Sequence, residues 1–360
     1  MDTLKEAAIQ ADPLVGAMLW KRVGRLLAVE LEDVDAAIEA FERTLECIEG
    51  DEEALRSLDQ LFESTGQVER LAENLRQQVL YGDPGATTDT LRRLANLEEL
   101  ILERPLEATQ AYVEILEAEP DDVEAMEALE RLYEAQDRWF DLADIMRRKV
   151  QTIFDPEVQC GTLLKLANIF EEQLHDLEAA IGVYREVLLN EPELSSALDA
   201  LDRIFVQEGR GADLAEIIRA KLMSSSHGDD ARANLELRLA EVLATELFAI
   251  EDALQLYRAV LAREPGRREA IQALERLAED QSWLEEVTPD LQAHYRNEEA
   301  WDQLINLLNK RLENLFEPDE QARLWHEIAQ VERARGDRSR AVTALAAAWK
   351  LDWEHEPYRD

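Results

Sequence analysis

The sequence is poor in cysteine, glycine and proline, and it has no long apolar run. Its 360 residues include 2 cysteines, 13 glycines and 10 prolines. Two cysteines are too few for a disulfide framework, and Cys47 and Cys160 stand outside any C-x-x-C pair, so we expect both thiols to be reduced. No stretch approaches the roughly 18 apolar residues of a membrane span. Few helix breakers among many Ala, Leu, Glu and Arg residues favour an almost entirely helical chain.

Basic residues are outnumbered two to one. The chain has 39 Lys and Arg against 79 Asp and Glu, which gives a formal net charge of −40. A field of that sign repels phosphate backbones, and no run of Lys or Arg offsets it, so we predict no nucleic acid partner. A solubilising surface is the simplest interpretation of this charge, and a partner with basic patches is the alternative.

The amino terminus also lacks the features of a secretory signal. MDTLKEAAIQADP has neither a positive region nor an apolar core. We therefore expect a cytoplasmic location and no membrane association. If the sequence is a piece of a larger protein, a targeting signal could lie outside it.

Motifs for catalysis, metal binding and cofactor binding are missing. The sequence shows no H-x-x-x-H or H-E-x-x-H pair, no glycine-rich phosphate loop and no calcium loop around Asp121-Asp122. Acidic pairs are so numerous that their spacing argues nothing for acid–base catalysis. We predict a protein that is not an enzyme and has no cofactor. The histidines are scattered, at His175, His227, His294, His326 and His355.

What the sequence does contain is a four-fold internal repeat. Similar segments surround the aromatic residues Phe41, Tyr112, Tyr184 and Tyr257, which are 71, 72 and 73 residues apart. Such regular spacing indicates one supersecondary unit copied end to end, in which each copy buries its apolar face on its neighbours.

Each repeat is predicted to contain four helices, called A, B, C and D here, that form two hairpins. In the copy at 155–228, Asp155-Pro156 opens helix A, because proline fits the first turn of a helix. Glu191-Pro192 follows helix B, and Gly209 and Gly211 separate helix C from helix D. Together the repeats predict one array over 1–360. Its parts are 1–11 (the end of a preceding repeat), the repeats 12–82, 83–154, 155–228 and 229–316, and a partial repeat 317–360.

Two departures from this regularity stand out. An insertion lies around 284–300, between Trp283 and a second tryptophan motif at Trp301, and we expect it to form an extra or extended helix. It is either an indel tolerated at a loop or a feature specific to a partner. The ends also look uncapped, since the last helix has Val342, Leu345 and Trp349 on an apolar face. An uncapped end predicts a fragment, self-association or docking of another domain.

Small residues recur where helices A and B face each other, and they allow close backbone contact. They are Ala95, Ala167, Ala240 and Ala329 in helix A, and Ala37, Ala108, Ala180, Ala253 and Ala341 in helix B. With the aromatic residue that follows and the proline after helix B, this pattern resembles the tetratricopeptide repeat. The second hairpin of each repeat, formed by helices C and D, departs further from the pattern of this family. The resemblance covers nearly the whole chain and implies an all-α, right-handed superhelical solenoid of tandem antiparallel helical hairpins.

The resemblance also implies where a partner would bind. Members of this family bind ligands on the concave face, at helix A positions that flank the small residue. In this chain the implied partner-binding residues are Lys21, Arg25, Arg92, Asn96, Asn168, Glu241, His326 and Gln330, with Leu164 and Leu237 completing the pairs. Arg92 with Asn96 resembles a pair that clamps a peptide carboxylate. The next hairpin offers Asp122, Ala125 and Met126, which do not complete that clamp.

These observations predict a non-catalytic scaffold or adaptor that binds a peptide or protein, with a basic partner favoured by charge. The alternative is a structural spacer or assembly arm that has no ligand groove and associates through its open ends. Val342, Leu345 and Trp349 would then form the interface.

Overall fold

A computed structural model of the chain describes residues 2–82, 84–224 and 228–351. Within those ranges the regular secondary structure is helical, and no strand is present. Helices that follow each other along the sequence pack together, joined by short turns. The prediction of an all-α chain of tandem helical hairpins is confirmed within the described ranges.

The chain divides into two compact bodies, and the first is Met1–Asn190. It begins with a short helix, continues with two full repeats and ends with helices A and B of the third repeat. Its helices are α1 (Asp2–Gln10), α2 (Pro13–Val29), α3 (Val34–Cys47), α4 (Glu52–Thr65), α5 (Val68–Tyr81), α6 (Pro84–Leu100), α7 (Pro105–Ala118), α8 (Val123–Ala135), α9 (Trp139–Thr152), α10 (Pro156–Asn168) and α11 (Leu177–Asn190).

The second body is Glu191–Asp360. It contains helices C and D of the third repeat, the fourth repeat with its insertion, and the last hairpin. Its helices are α12 (Ser195–Glu208), α13 (Gly211–Met223), α14 (Asp229–Thr245), α15 (Ile250–Arg263), α16 (Arg268–Leu277), α17 (Gln281–Asn297), α18 (Trp301–Asn314), α19 (Pro318–Arg335) and α20 (Arg338–Leu351).

Aspartates and glycines set several helix ends. The carboxylates of Asp51 and Asp122 accept hydrogen bonds from the backbone N–H of Ala54 (3.0 Å) and Ala125 (2.8 Å), and so cap the first turns of α4 and α8. Removing such a cap costs about 1 kcal/mol. Gly66 ends α4 with a φ of 68°, a left-handed conformation that glycine adopts without strain.

Small residues let helices A and B approach closely. Ala95 and Ala108 are fully buried where α6 packs on α7. In the first repeat Gly24 replaces the alanine, and a methyl group added there would lie 2.8 Å from the Phe41 ring. Phe41 belongs to an apolar cluster that includes Leu58 of α4 and residues of α5, so the aromatic side chain joins the first hairpin to the second.

Helix A of the third repeat contains a feature that the sequence did not predict. After α10 the backbone continues as a π-helical turn over Ile169–Gln173. In this repeat Ala167 and Ala180 are one residue further apart than Ala329 and Ala341 in the last repeat. The second repeat has the same longer spacing, from Ala95 to Ala108, but α6 contains no π turn, so the spacing alone does not account for it.

The region around 284–300 lies mostly within α17, a 17-residue helix with Pro289 in its interior. An interior proline costs a helix about 3 kcal/mol. Helix α17 packs between α16 and α18, and Leu284, Val287 and Leu291 are buried there. Tertiary packing therefore holds this helix together despite the proline.

The turn between helices A and B places a non-glycine residue in the left-handed region at the same point of each full repeat. Glu32, Glu103, His175 and Phe248 have φ values of 52°, 53°, 53° and 53°. In the last hairpin Gly336 takes this role, with a φ of 95°. A left-handed conformation costs an L-residue about 1–2 kcal/mol.

We expect Phe248→Gly to raise the free energy of unfolding by about 1 kcal/mol, because glycine removes the backbone strain at this turn. The Phe248 side chain is 80% exposed, so little packing is lost. Urea unfolding followed by circular dichroism measures the change. The matched control is Phe316→Gly, since Phe316 is equally exposed but has no positive φ. A similar gain in the control would show that the φ angle is not the cause.

Candidate functional site

In the first, second and fourth repeats, helices A and C share one surface, called the A/C face here, which carries helix A residues that the family resemblance implies. In the first repeat, Lys21 Nζ lies 2.9 Å from Asp51 Oδ2 and 3.4 Å from Glu53 Oε2. Arg25 also donates to Glu53. Lys21 and Arg25 are thus both engaged by carboxylates at the start of helix C.

Arg92 is held in the same way in the second repeat. Its guanidinium donates to Asp122, the N-cap residue of α8, and lies 3.7 Å from Glu124. The arginine that resembles half of a carboxylate clamp is thus paired with a carboxylate of the chain itself. The ion pair fastens helix A to helix C.

Asn96 and Asn168 contact the aromatic residue of helix B. The Tyr112 hydroxyl donates to Asn96 Oδ1 (3.1 Å), and the Tyr184 hydroxyl donates to Asn168 Oδ1 (2.6 Å). Burial, with the nearby Glu99 carboxylate, raises the pKa of Tyr112 to about 12, so the phenol remains a donor at all physiological pH values. Both asparagines therefore hold the A–B hairpin together.

The fourth repeat joins its helices A and C with the charges exchanged. Leu237 stands at the position of Arg92, and Arg267, the N-cap residue of α16, stands at the position of Asp122. The ion pair of the first two repeats is therefore replaced by another. The guanidinium of Arg267 donates to Asp230 (2.8 Å) and to Asn234, both on α14.

A groove opens at this place between α14 and α16. It has a volume of about 600 Å³, and four glutamates and one arginine are among its lining residues. Leu237 and Tyr257 supply apolar surface. The acidic lining residues are Glu241, Glu269, Glu275 and Glu279.

The carboxylates of the groove are not equally available to a ligand. Arg276 binds Glu241 through two hydrogen bonds of 3.0 and 2.8 Å, which raise the pKa of Arg276. Glu275 accepts a hydrogen bond of 2.6 Å from the Tyr295 hydroxyl. Glu269 is exposed but lies 3.0 Å from Arg267 Nε, whereas Glu279 is exposed and makes no ion pair with any described residue. Glu279 is therefore the carboxylate best placed to meet a cation, followed by Glu269.

The other predicted residues of the second body lie on the last hairpin. His326 Nε2 and Gln330 Nε2 are 2.9 Å apart on α19. On α20, Val342 and Trp349 are exposed and Leu345 is half-buried. The structure therefore places Glu241 in the groove, and it places His326 and Gln330 outside the set of groove-lining residues.

The glutamates of α16 were not among the predicted site residues. A signal was present, because Glu275 stands in the repeat at the position of Asp59 and Asp202, which are also acidic. The lost pair at Leu237 and Arg267 was visible too, but its meaning depends on knowing that Arg92 contacts Asp122.

In the part of the chain that the structure describes, no group of three or more His, Cys, Asp or Glu side chains is arranged to hold a metal ion. The same described residues include no helix of the length and apolarity needed to cross a membrane.

The sequence matches no family model and no curated protein. Among solved structures it is similar to the MamA protein, with 14% identity and a TM-score of 0.28 over 50% of this chain and 94% of that chain. YrrB, described as "a TPR protein with an unusual peptide-binding site", has 14% identity and a TM-score of 0.29 over 55% and 96% of the two chains. The C-terminal part of a TPR repeat-containing protein from Cytophaga hutchinsonii has 12% identity and a TM-score of 0.30 over 70% and 98%. At such TM-scores, no residue role or ligand is carried over to this chain.

Proposed function

We propose that the protein is a non-catalytic scaffold that binds a protein or peptide on its A/C face. The groove between α14 and α16 is the main contact, and the partner presents basic side chains there. The observation that supports this proposal most directly is the groove itself, because four of its lining residues are glutamates and one of them, Glu279, is exposed and makes no ion pair with any described residue.

The lining of the groove fits a basic segment of a partner. Glu269 of α16 and Glu279, which follows the end of that helix, line the groove, and Leu237 and Tyr257 add apolar surface. Lysine and arginine have long apolar stems and charged ends, so one side chain can use both kinds of surface. The net charge of −40 would add long-range attraction for such a partner.

The spacer or assembly arm is the second candidate function. The exposure of Val342 and Trp349 on the last helix favours it. In that case the ends, and not the groove, would carry the interaction.

We expect the double variant Glu269→Gln/Glu279→Gln to weaken capture of the partner about tenfold or more, because both substitutions remove charge without changing side-chain size. Wild-type and variant proteins serve as baits in a lysate of the cells that produce the protein, and mass spectrometry quantifies the captured proteins. Captured amounts should also fall between 50 and 300 mM salt, since screening weakens exposed charge pairs.

The matched control is Glu216→Gln/Glu251→Gln, which changes net charge equally at exposed positions outside the lining of the groove. The groove is ruled out if both double variants capture the same proteins in the same amounts. Self-association that depends on Val342, with no captured protein that depends on Glu269 and Glu279, would favour the spacer function.

A further inference from the structure

The last helix exposes an apolar stripe that the equivalent helices bury. Val342 of α20 is 66% exposed, and Trp349 is 50% exposed. The residues equivalent to Val342 in the first and fourth repeats are Ile38 and Leu254, which are only 3% and 2% exposed. The difference comes from the next helix, because α3 and α15 each have a helix C after them that packs on them.

The chain itself shows what covers this surface. In the first repeat, Ile38 and Phe41 share one apolar cluster with Ala54, Leu58 and Phe62 of α4. Each helix C contains the same pattern. An alanine is followed by an apolar residue, and three residues later comes a second apolar residue, followed by an acidic one. The segments are Ala54-Leu55-x-x-Leu58-Asp59, Ala125-Met126-x-x-Leu129-Glu130, Ala197-Leu198-x-x-Leu201-Asp202 and Ala270-Ile271-x-x-Leu274-Glu275. Residues 352–360, DWEHEPYRD, do not contain this pattern and lie outside the described residues.

The charge at the edge of this surface is inverted in the last hairpin. In the second repeat, Glu99 of α6 accepts hydrogen bonds from Arg131 Nη2 of α8 (2.6 Å) and from the Tyr112 hydroxyl (3.2 Å). Arg333 of α19 stands at the position of Glu99. In a helix that covers α20 as α8 covers α7, the residue at the position of Arg131 would face Arg333. That residue must therefore be acidic.

The surroundings of Arg333 are basic in an otherwise acidic chain. Between Arg333 and Leu351 the only acidic residue is Asp337, and α20 has none. Arg333, Arg338 and Lys350 are exposed and form no ion pair with any residue that the structure describes. The basic residues of this segment are Arg333, Arg335, Arg338, Arg340 and Lys350.

We propose that the exposed face of α19 and α20 binds an acidic amphipathic helix of a partner protein. Two apolar residues of that helix cover Val342 and Leu345, and a carboxylate pairs with Arg333. A second copy of this face is a poor occupant, because it would bring Arg333 and Arg338 against the same basic residues. This surface is separate from the groove between α14 and α16, and it selects a partner of the opposite charge.

The helix C of the second repeat supplies the probe. Two fluorescently labelled peptides are compared, the sequence of residues 122–136 and the same sequence with Arg131→Glu. We expect the Arg131→Glu peptide to bind the wild-type protein about tenfold more tightly than the parent peptide, because only the former offers Arg333 a carboxylate. With an Arg333→Glu protein the preference should reverse. Fluorescence anisotropy measures both affinities.

Three further measurements test the location and the partner. Val342→Asp should abolish binding of the Arg131→Glu peptide, whereas Val206→Asp, at another exposed valine of the same body, should leave it unchanged. Glu269→Gln/Glu279→Gln should also leave binding of this peptide unchanged. The experiment therefore distinguishes a failure of this proposal from a failure of the proposed binding at the groove. Equal affinity for the two peptides overturns the proposal. So does a wild-type dimer in sedimentation analysis that Val342→Asp converts to a monomer, because the face would then bind a second copy.

Discussion

Phe41→Ala is expected to lower the free energy of unfolding by about 4 kcal/mol. The Phe41 ring is almost completely buried, and it touches the cluster that joins α3 to α4 and α5. Its loss removes apolar contacts and leaves a cavity that the backbones around Gly24 cannot close completely. Urea unfolding monitored by circular dichroism measures the effect. Phe140→Ala, at a side chain that is 78% exposed, should change stability by less than about 0.5 kcal/mol.

The contact between Gly24 and Phe41 provides a second test of the packing around the Phe41 ring. Gly24→Ala alone should be destabilising, because the new methyl group would lie 2.8 Å from the ring, although alanine is the better helix former by about 1 kcal/mol. In the Phe41→Ala background the same substitution should be stabilising. A double-mutant cycle measures the difference, and additive effects would show that the two residues do not interact.

Asp202→Ala is expected to cost about 3 kcal/mol of stability. The Asp202 carboxylate is buried on α12, with Lys221 Nζ at 2.5 Å and Arg238 Nη1 at 2.7 Å. Removing it leaves a half-buried ammonium group without its strongest partner. Asp199→Ala is the matched control, since Asp199 also contacts Lys221, at 2.6 Å, but its side chain is 70% exposed. A cost in the control as large as at Asp202 would contradict the argument.

The same carboxylate predicts a pH dependence. Burial alone would raise its pKa, but hydrogen bonds from Arg238 and Lys221 outweigh burial and lower the pKa of Asp202 below its ordinary value of 3.8. Since the folded-state pKa is the lower one, the stabilisation is fully present above pH 4 and is lost as the pH falls through the folded-state value. Unfolding at pH 3 and pH 7 measures this loss. In Asp202→Asn the difference between the two pH values should be smaller.

The repeat and the helix pairs could be predicted because they depend on short periodic patterns. Alanine at Ala95 and Ala108, and an aromatic residue at Tyr112, specify a hairpin through contacts within 20 residues of sequence. The ion pairs could not be predicted in the same way. Lys21 and Asp51 are 30 residues apart, and each is one of many charged residues that the sequence places on exposed helix surfaces.

The candidate site was predicted only in part, for a related reason. The family resemblance pointed to helix A, and Glu241 does line the groove. The exposed carboxylates of its lining are Glu269 on helix C and Glu279 just after that helix. Which charged residues are already paired, as Glu241 is with Arg276, is visible only in three dimensions.

The exchange of Asp122 for Arg267 at the start of helix C has a consequence for how such an array can vary its surface. Where the cap residue is an aspartate it binds the cation of helix A, and the two helices are fastened together. Where it is an arginine, the pair is reversed, and Arg267 binds Asp230 of helix A. The two helices are joined in either case, so one repeat can exchange the charges at this position without a new loop or a new element.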